Sequence, residues 1–276
     1  MSARPAPLDR LRERVARLGA PLCLGIDPHP DALPDGISRD VAGIERFARG
    51  LLEAGAEHAA AVKFNIAFFE AWGSAGWAVL ERLIGDVPAD HFVIVDAKRG
   101  DIGSTAERYA EALLGHLGAD AVTVSPYLGE DAVEPFLEHP DRVVYLLVRT
   151  SNSSASRLQD LPVGGAPLHE RVASWAAERW TDGRVGLVVG ATAPGELTRL
   201  RGLVPGPGFL VPGVGAQGGD LAAAVTHCHG TAAPGLVTIS RGIAGASSGP
   251  DWAAAAAVAA SAWLGRLREA GATLPA

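Results

Sequence analysis

The sequence predicts an α/β protein built as a single (β/α)8 barrel over residues 1–276, with an extra helix ahead of the first strand. Three observations carry this reading. Eight short, near-continuous apolar runs rich in β-branched residues recur along the chain, as expected of parallel strands covered on both faces. Between them lie longer segments, several with apolar residues at three- and four-residue spacing, the mark of helices with one buried face. The length of 276 residues suits eight such units, which take about 250 residues together. Alternation alone does not force closure, so a doubly wound open sheet is the other architecture the pattern allows.

In chain order, Leu8–Leu18 reads as the extra helix. The strand runs are Pro21–Ile26, Ala61–Phe64, Phe92–Val95, Ala121–Val124, Val143–Val148, Val185–Val189, Phe209–Val211 and Leu236–Ile239. Helical spacing covers Asp40–Ala56, Thr105–Leu117 and Gly218–His227. Ser104 with Glu107 three residues on reads as a capping box that opens the crossover after the third run. The Gly/Pro/Ser-rich stretches Asn152–Pro167 and Gly202–Gly208 read as long loops, and in a barrel the first belongs to the catalytic face. The Ala-rich run Trp252–Gly265 is shorter than the roughly 18–20 residues a membrane span needs, so it reads as a helix of a soluble domain.

Composition narrows the function. A net charge of -7 argues against nucleic acid or an anionic membrane as the main partner. The N-terminal stretch to Arg17 carries charges throughout and lacks the apolar core of a signal peptide. Cys23 and Cys228 form neither a CxxC nor a disulfide framework, which fits a reducing cytoplasm. Of 24 basic residues only Lys63 and Lys98 are lysines. A coding bias toward Arg, Ala and Gly explains the scarcity but not the two exceptions.

Barrel chemistry sits at the C-terminal ends of strands. Those ends offer Asp27, then Lys63 and Asn65, then Asp96 and Lys98, then Ser125, then Arg149, Thr150 and Ser151, and later Pro212, Gly213, Ser240 and Arg241. Both lysines fall among them. Asp96 and Lys98 are two residues apart, which on an extended strand points them to one side, and Lys63 and Asn65 share that spacing on the neighbouring strand. With Asp101 just beyond, the pattern predicts an alternating array of two ammoniums and two carboxylates. Opposite charges favour the charged form of each group. An ammonium so held is a poor Schiff-base nucleophile but a good proton donor beside a developing anion. Arginine, whose pKa is too high to release a proton, would not serve. A charged ring that merely closes the barrel mouth is the alternative.

The run Pro212-Gly-Val-Gly-Ala-Gln217-Gly-Gly219 formally fits a dinucleotide fingerprint, yet the acidic residue expected about 20 positions on is missing. In a barrel, the loops after the seventh and eighth strands commonly bind phosphate through backbone N–H groups. Gln217 and Arg241 would add donors there. His227-Cys-His229 lacks partners at zinc-site spacing and reads as structural, as does the aromatic cluster of Phe64, Phe68, Phe69 and Trp72. His29 reads as a loop residue.

At these residues the chain resembles the orotidine 5'-phosphate decarboxylase family. The segment Phe92-Val-Ile-Val-Asp96-Ala-Lys98-Arg-Gly-Asp101-Ile-Gly-Ser-Thr105 is similar to that family's Asp-x-Lys-x-x-Asp signature in its longer bacterial branch. Leu24-Gly-Ile-Asp27-Pro, Ala61-Val-Lys63-Phe-Asn65, Arg149-Thr-Ser151-Asn, Val211-Pro212-Gly-Val-Gly-Ala-Gln217 and Ile239-Ser-Arg241-Gly242 match in the family's order, over most of the chain. The stretch after Ser151, Asn152-Ser-Ser, departs from the common His-Pro-Gly or Asn-Pro-Gly. The resemblance implies a (β/α)8 homodimer with shared active sites that needs no cofactor or metal. The implied reaction converts orotidine 5'-monophosphate to UMP and carbon dioxide, the last step of UMP biosynthesis. The resemblance further implies that Asp27 and Lys63 contact the ribose, that Lys63 also orients Asp96, and that Lys98 donates the proton. Asp101, Ile102 and Thr105 would reach into the partner subunit's site. Ser151 would read the pyrimidine, and Gln217, Arg241 and the Gly242 backbone would hold the phosphate, with Asn65 and Pro212 completing the substrate-binding set. A magnesium-dependent sugar-phosphate enzyme of the same superfamily and a non-catalytic nucleotide binder are the rival readings.

Overall fold

The computed structural model describes residues 5–215 and 217–272; Ala216, inside the glycine-rich run, and both ends of the chain lie outside the described residues. Every apolar run is a strand, and eight parallel strands close into a barrel. In order these are β1 (Leu22–Ile26), β2 (Ala61–Asn65), β3 (Phe92–Arg99), β4 (Ala121–Val124), β5 (Val143–Arg149), β8 (Val185–Val189), β9 (Phe209–Val211) and β10 (Leu236–Ile239). A small hairpin of β6 (Pro162–Val163) and β7 (Ala166–Pro167) interrupts the series. Closure is made by β1, where Leu24 pairs with Val62 of β2 on one side and with Ile239 of β10 on the other. That pairing removes the open-sheet alternative.

Helices cover the outside: α1 (Pro7–Leu18), α2 (Val41–Gly55), α3 (Ala67–Glu70), α4 (Gly73–Asp86), α5 (Gly103–Ala110), α6 (Glu134–Leu137), α7 (Ser156–Gln159), α8 (Leu168–Arg179), α9 (Pro194–Leu203), α10 (Leu221–Cys228), α11 (Arg241–Ala244) and α12 (Trp252–Ala272). The core lies between strands and helices. Ile44, Leu51 and Phe47 of α2 bury against strand residues such as Leu22 and Leu24, each worth about 1.5–3 kcal/mol in apolar burial. Along α12, Ala256, Ala260, Leu264 and Leu267 form the buried stripe while Val258 faces out. Among the described residues no helix is long and apolar enough to cross a membrane.

The extra helix α1 lies across the base of the barrel. Arg10 Nη2 sits 2.6 Å from Asp120 Oδ2, and Asp120 also takes Arg142 and the Val93 N–H at the start of β3. Arg14 binds the Ala56 and Ala59 carbonyls and Asp90. Both arginines are almost fully buried, so α1 is bolted on rather than loosely appended.

Two local expectations fail. The capping box does not form: α5 starts at Gly103, so Ser104 already lies within the first turn and no side chain caps the helix. The crossover also does not run as one α-helix, because from Glu111 to His116 it widens into a π-helical turn. The long loop after β5 is partly ordered, containing α7 and the β6–β7 hairpin.

Candidate active site

The strands that carry charge run past their apolar segments. β2 continues to Asn65, and β3 continues to Arg99, which lifts Asp96 and Lys98 into the barrel mouth. Asn65 pairs in register with Asp96. Beyond Val95 the β3–β4 register slips, and Lys98 takes a left-handed backbone with φ +48°. The strand is therefore not extended at Lys98, contrary to the simple alternation argument, and such a conformation costs a side-chain-bearing residue about 1–2 kcal/mol. Thr123 on β4 offsets the slip. Its hydroxyl accepts from the Lys98 N–H at 2.9 Å and donates to Asp96 Oδ1 at 2.9 Å.

Asp96 is the centre of the charged group. Lys63 Nζ donates to its Oδ2 at 2.9 Å and Lys98 Nζ to its Oδ1 at 2.7 Å. Burial alone would raise the Asp96 pKa, but the two ammoniums outweigh it and hold the carboxyl well below the usual range. Lys63 is buried too. Burial would lower its pKa, yet Asp27 and Asp96 push it above the ordinary lysine value. Asp27 Oδ1 lies 3.7 Å from Lys63 Nζ and has no hydrogen-bond partner among the described residues. That oxygen is buried beside Lys63 and keeps acceptor capacity to spare.

Within one chain the charged group consists of Asp27, Lys63, Asp96 and Lys98, and Asp101 does not join it. Asp101 sits past the end of β3, where Oδ1 accepts the Ile102 N–H at 2.8 Å, and it makes no ion pair among the described residues. Ile102 is 57% exposed and Thr105 is exposed, so neither contributes to the mouth of its own barrel.

Most of the remaining expected residues border one cleft. A cavity of about 140 Å³ is lined by Asp27, Asn65, Gln217, Ser240 and Arg241. A second of about 470 Å³ is lined by Lys98, Thr123, Thr150, Ser151, Asn152 and Gln159. Lys63, Asp96, Pro212 and Thr238 line both, so the charged group lies where the two meet. The glycine-rich loop is built on left-handed turns at Gly213 (φ +99°), Gly215 (φ +85°) and Gly218 (φ +73°), conformations open to glycine at little cost. Gly242 follows Arg241 in α11, and its carbonyl accepts the Trp263 indole N–H. His227 bonds to Thr198, and His229 accepts the Gly235 N–H, both away from the cleft lining. Among the described residues one group has metal-ligand geometry, His169, Glu170 and Glu196, and it also lies outside the cleft lining. His169 there bonds to Glu196 and the Gln159 carbonyl, and Glu170 pairs with Arg199.

Sequence reasoning missed Thr123, Thr238 and Gln159. The first two had a signal, a lone hydroxyl inside an apolar strand (Ala121-Val-Thr-Val124 and Leu236-Val-Thr-Ile239). Gln159 had none, because its approach to the cleft depends on how the loop after β5 folds.

Comparison with known proteins is consistent across sequence and structure. The pattern of the Orotidine 5'-phosphate decarboxylase / HUMPS family matches residues 20–257. An orotidine 5'-phosphate decarboxylase of Roseiflexus castenholzii is 49% identical over 242 residues, covering 87% of this chain and 89% of that protein. One from Herpetosiphon aurantiacus is 41% identical over 259 residues, covering 93% and 96%. The solved structure of Leishmania donovani OMP decarboxylase superposes with a TM-score of 0.85 at 38% identity, covering 98% of this chain and 100% of that one.

Proposed function

The chain belongs to the orotidine 5'-phosphate decarboxylase family and decarboxylates orotidine 5'-phosphate to UMP in pyrimidine biosynthesis, and we propose that it does so without a cofactor, with Lys98 as the proton donor. The observation that carries the proposal is Asp96 held between Lys63 and Lys98 at the junction of the two cavities.

The substrate lies along the cleft. Its phosphate meets Arg241, Gln217 and the Gly242 backbone; its ribose meets Asp27, whose carboxylate lines the cavity and can accept from a sugar hydroxyl, with Lys63 and Asn65 beside it. The pyrimidine lies between Pro212 and Ser151, the latter bonding to its amide edge. C6 then comes over Asp96 and Lys98. The bond from C6 to the carboxylate breaks, carbon dioxide leaves, and the electron pair stays on C6 as a vinylic carbanion. The Lys98 ammonium stabilises that charge and transfers a proton to C6, giving UMP and a neutral amine that is reprotonated from solvent. Asp96, fixed as an anion, keeps the donor in line. The phosphate grip lets binding energy far from C6 order the site.

The same reading makes the enzyme a homodimer in which Asp101, Ile102 and Thr105 complete the partner subunit's site. The exposure of apolar Ile102 and the position of Asp101 outside its own array support this. The two buried, unpaired cysteines suit the cytoplasm. The test follows substrate absorbance in the ultraviolet. The wild-type chain should consume orotidine 5'-phosphate at an undiminished rate in EDTA, and Lys98→Ala should lose at least about a thousandfold in kcat. A strict requirement for added magnesium, or equal rates in the two proteins, would refute the proposal.

A further inference from the structure

We infer that Gln159 is a positioning residue that fixes the base-reading end of the cleft, and that this inference rests on the placement of the pyrimidine at Ser151. The β5 ladder stops at Arg149, whose carbonyl accepts the Gly190 N–H. Thr150 and Ser151 therefore project beyond the sheet, without strand partners among the described residues. Gln159, ten residues after Arg149, supplies the missing contacts from α7. Its Oε1 accepts the Thr150 N–H at 2.9 Å and its Nε2 donates to Thr150 Oγ1 at 2.8 Å. Arg149 Nη1 donates to the same Oε1 at 3.3 Å. Thr150 Oγ1 passes the chain on by donating to Asn152 Oδ1 at 2.6 Å.

The amide orientation follows from chemistry. A backbone N–H can only donate, so the oxygen of Gln159 must face Thr150 N, which leaves its NH₂ for the hydroxyl. One side chain thus grips one residue at two points, as a neighbouring strand would. The grip is itself anchored. The Gln159 carbonyl accepts from Nδ1 of His169, which is almost fully buried, and His169 Nε2 bonds Glu196 on α9 at 2.9 Å. The helix that carries the clamp is tied to the scaffold although neighbouring Leu158 and Leu161 are exposed. Ser151 has little slack on its other side: a Cβ built on Gly190 would stand 3.1 Å from both its Cβ and its backbone N. A shift of Thr150 would pass directly to the residue that meets the base.

The experiment compares ligands with and without a base. In Gln159→Leu, which keeps the bulk and removes both polar atoms, the KM for orotidine 5'-phosphate and the inhibition constant of UMP should rise roughly tenfold or more, as for the loss of one or two hydrogen bonds. kcat at saturation should stay within about threefold, and inhibition by ribose 5-phosphate, which has no base, within about twofold. Gln159→Glu, which keeps the acceptor and loses the donor, should fall between, and it stands in if the leucine variant does not fold. Unchanged KM in both variants, or equal weakening of UMP and ribose 5-phosphate, overturns the inference. Ser151→Ala separates the two levels. If it leaves UMP affinity at the wild-type value, the base is not read there, and the clamp falls with that placement. If it weakens UMP while the Gln159 variants do not, only the clamp fails.

Discussion

At the scale of single residues, the proposed mechanism requires a lysine at 98 and not merely a positive charge. Lys98 Nζ lies 2.7 Å from Asp96, while its own backbone is held in a left-handed turn by Thr123. An arginine at 98 would keep the charge near Asp96 but would hold its proton too tightly to give it to carbon. Lys98→Arg is therefore expected to retain UMP binding within a few-fold while kcat drops by about 10²–10⁴, the usual worth of a general acid. Steady-state kinetics together with a UMP titration would decide it, and a fast Lys98→Arg enzyme would mean that charge alone suffices. The lysine scarcity of the sequence thereby acquires a physical reading. Both lysines touch Asp96, where a planar guanidinium differs in shape and acidity from an ammonium.

At the scale of elements, α1 is the least obvious contributor, since it takes no part in the barrel sheet yet buries Arg10 against Asp120. Arg10→Ala leaves Asp120 with Arg142 as its remaining ionic partner, and the expected cost is about 2–3 kcal/mol, somewhat below the usual price of breaking a buried pair. The urea midpoint should fall accordingly, with kcat of the folded enzyme unchanged; an unchanged midpoint would show that the Arg10–Asp120 pair does not stabilise the fold. The elements also reveal what a sequence can disclose. Ala121–Val124, Val185–Val189, Phe209–Val211 and Leu236–Ile239 end where their apolar runs end, because burial on both faces is written into every residue. β3 outruns its apolar run by four residues, from Asp96 to Arg99, because its last residues are selected for the mouth and not for the core. The Ser104 capping box failed since a four-residue motif does not determine where the chain turns, and Ile102 and Gly103 set the helix start instead. Asp27, Lys63, Asp96 and Lys98 were legible as strand-end charges. The approach of Asp27 to Lys63 was not, because which charge meets Lys63 depends on stagger between strands.

At the scale of the whole molecule, the proposed homodimer, in which Asp101 serves the partner's site, makes activity a property of two chains. Lys98→Ala and Asp101→Ala homodimers should each be nearly inactive. Mixed under conditions that exchange subunits, they should recover activity toward about a quarter of the wild-type level per site in a statistical mixture, because half the dimers are hybrids and each hybrid holds one intact site. Verified hybrids without activity would argue that each barrel works alone. The bolted α1 bears on a different matter. Its end at Leu18 accepts a hydrogen bond from Arg268, one turn before the end of α12, so the first and last helices meet beneath the barrel on the side opposite the mouth. Either helix can thus serve as a handle. The enzyme can be fused to another protein, or fixed to a solid support, through this underside while the mouth on the opposite side stays clear of the attachment.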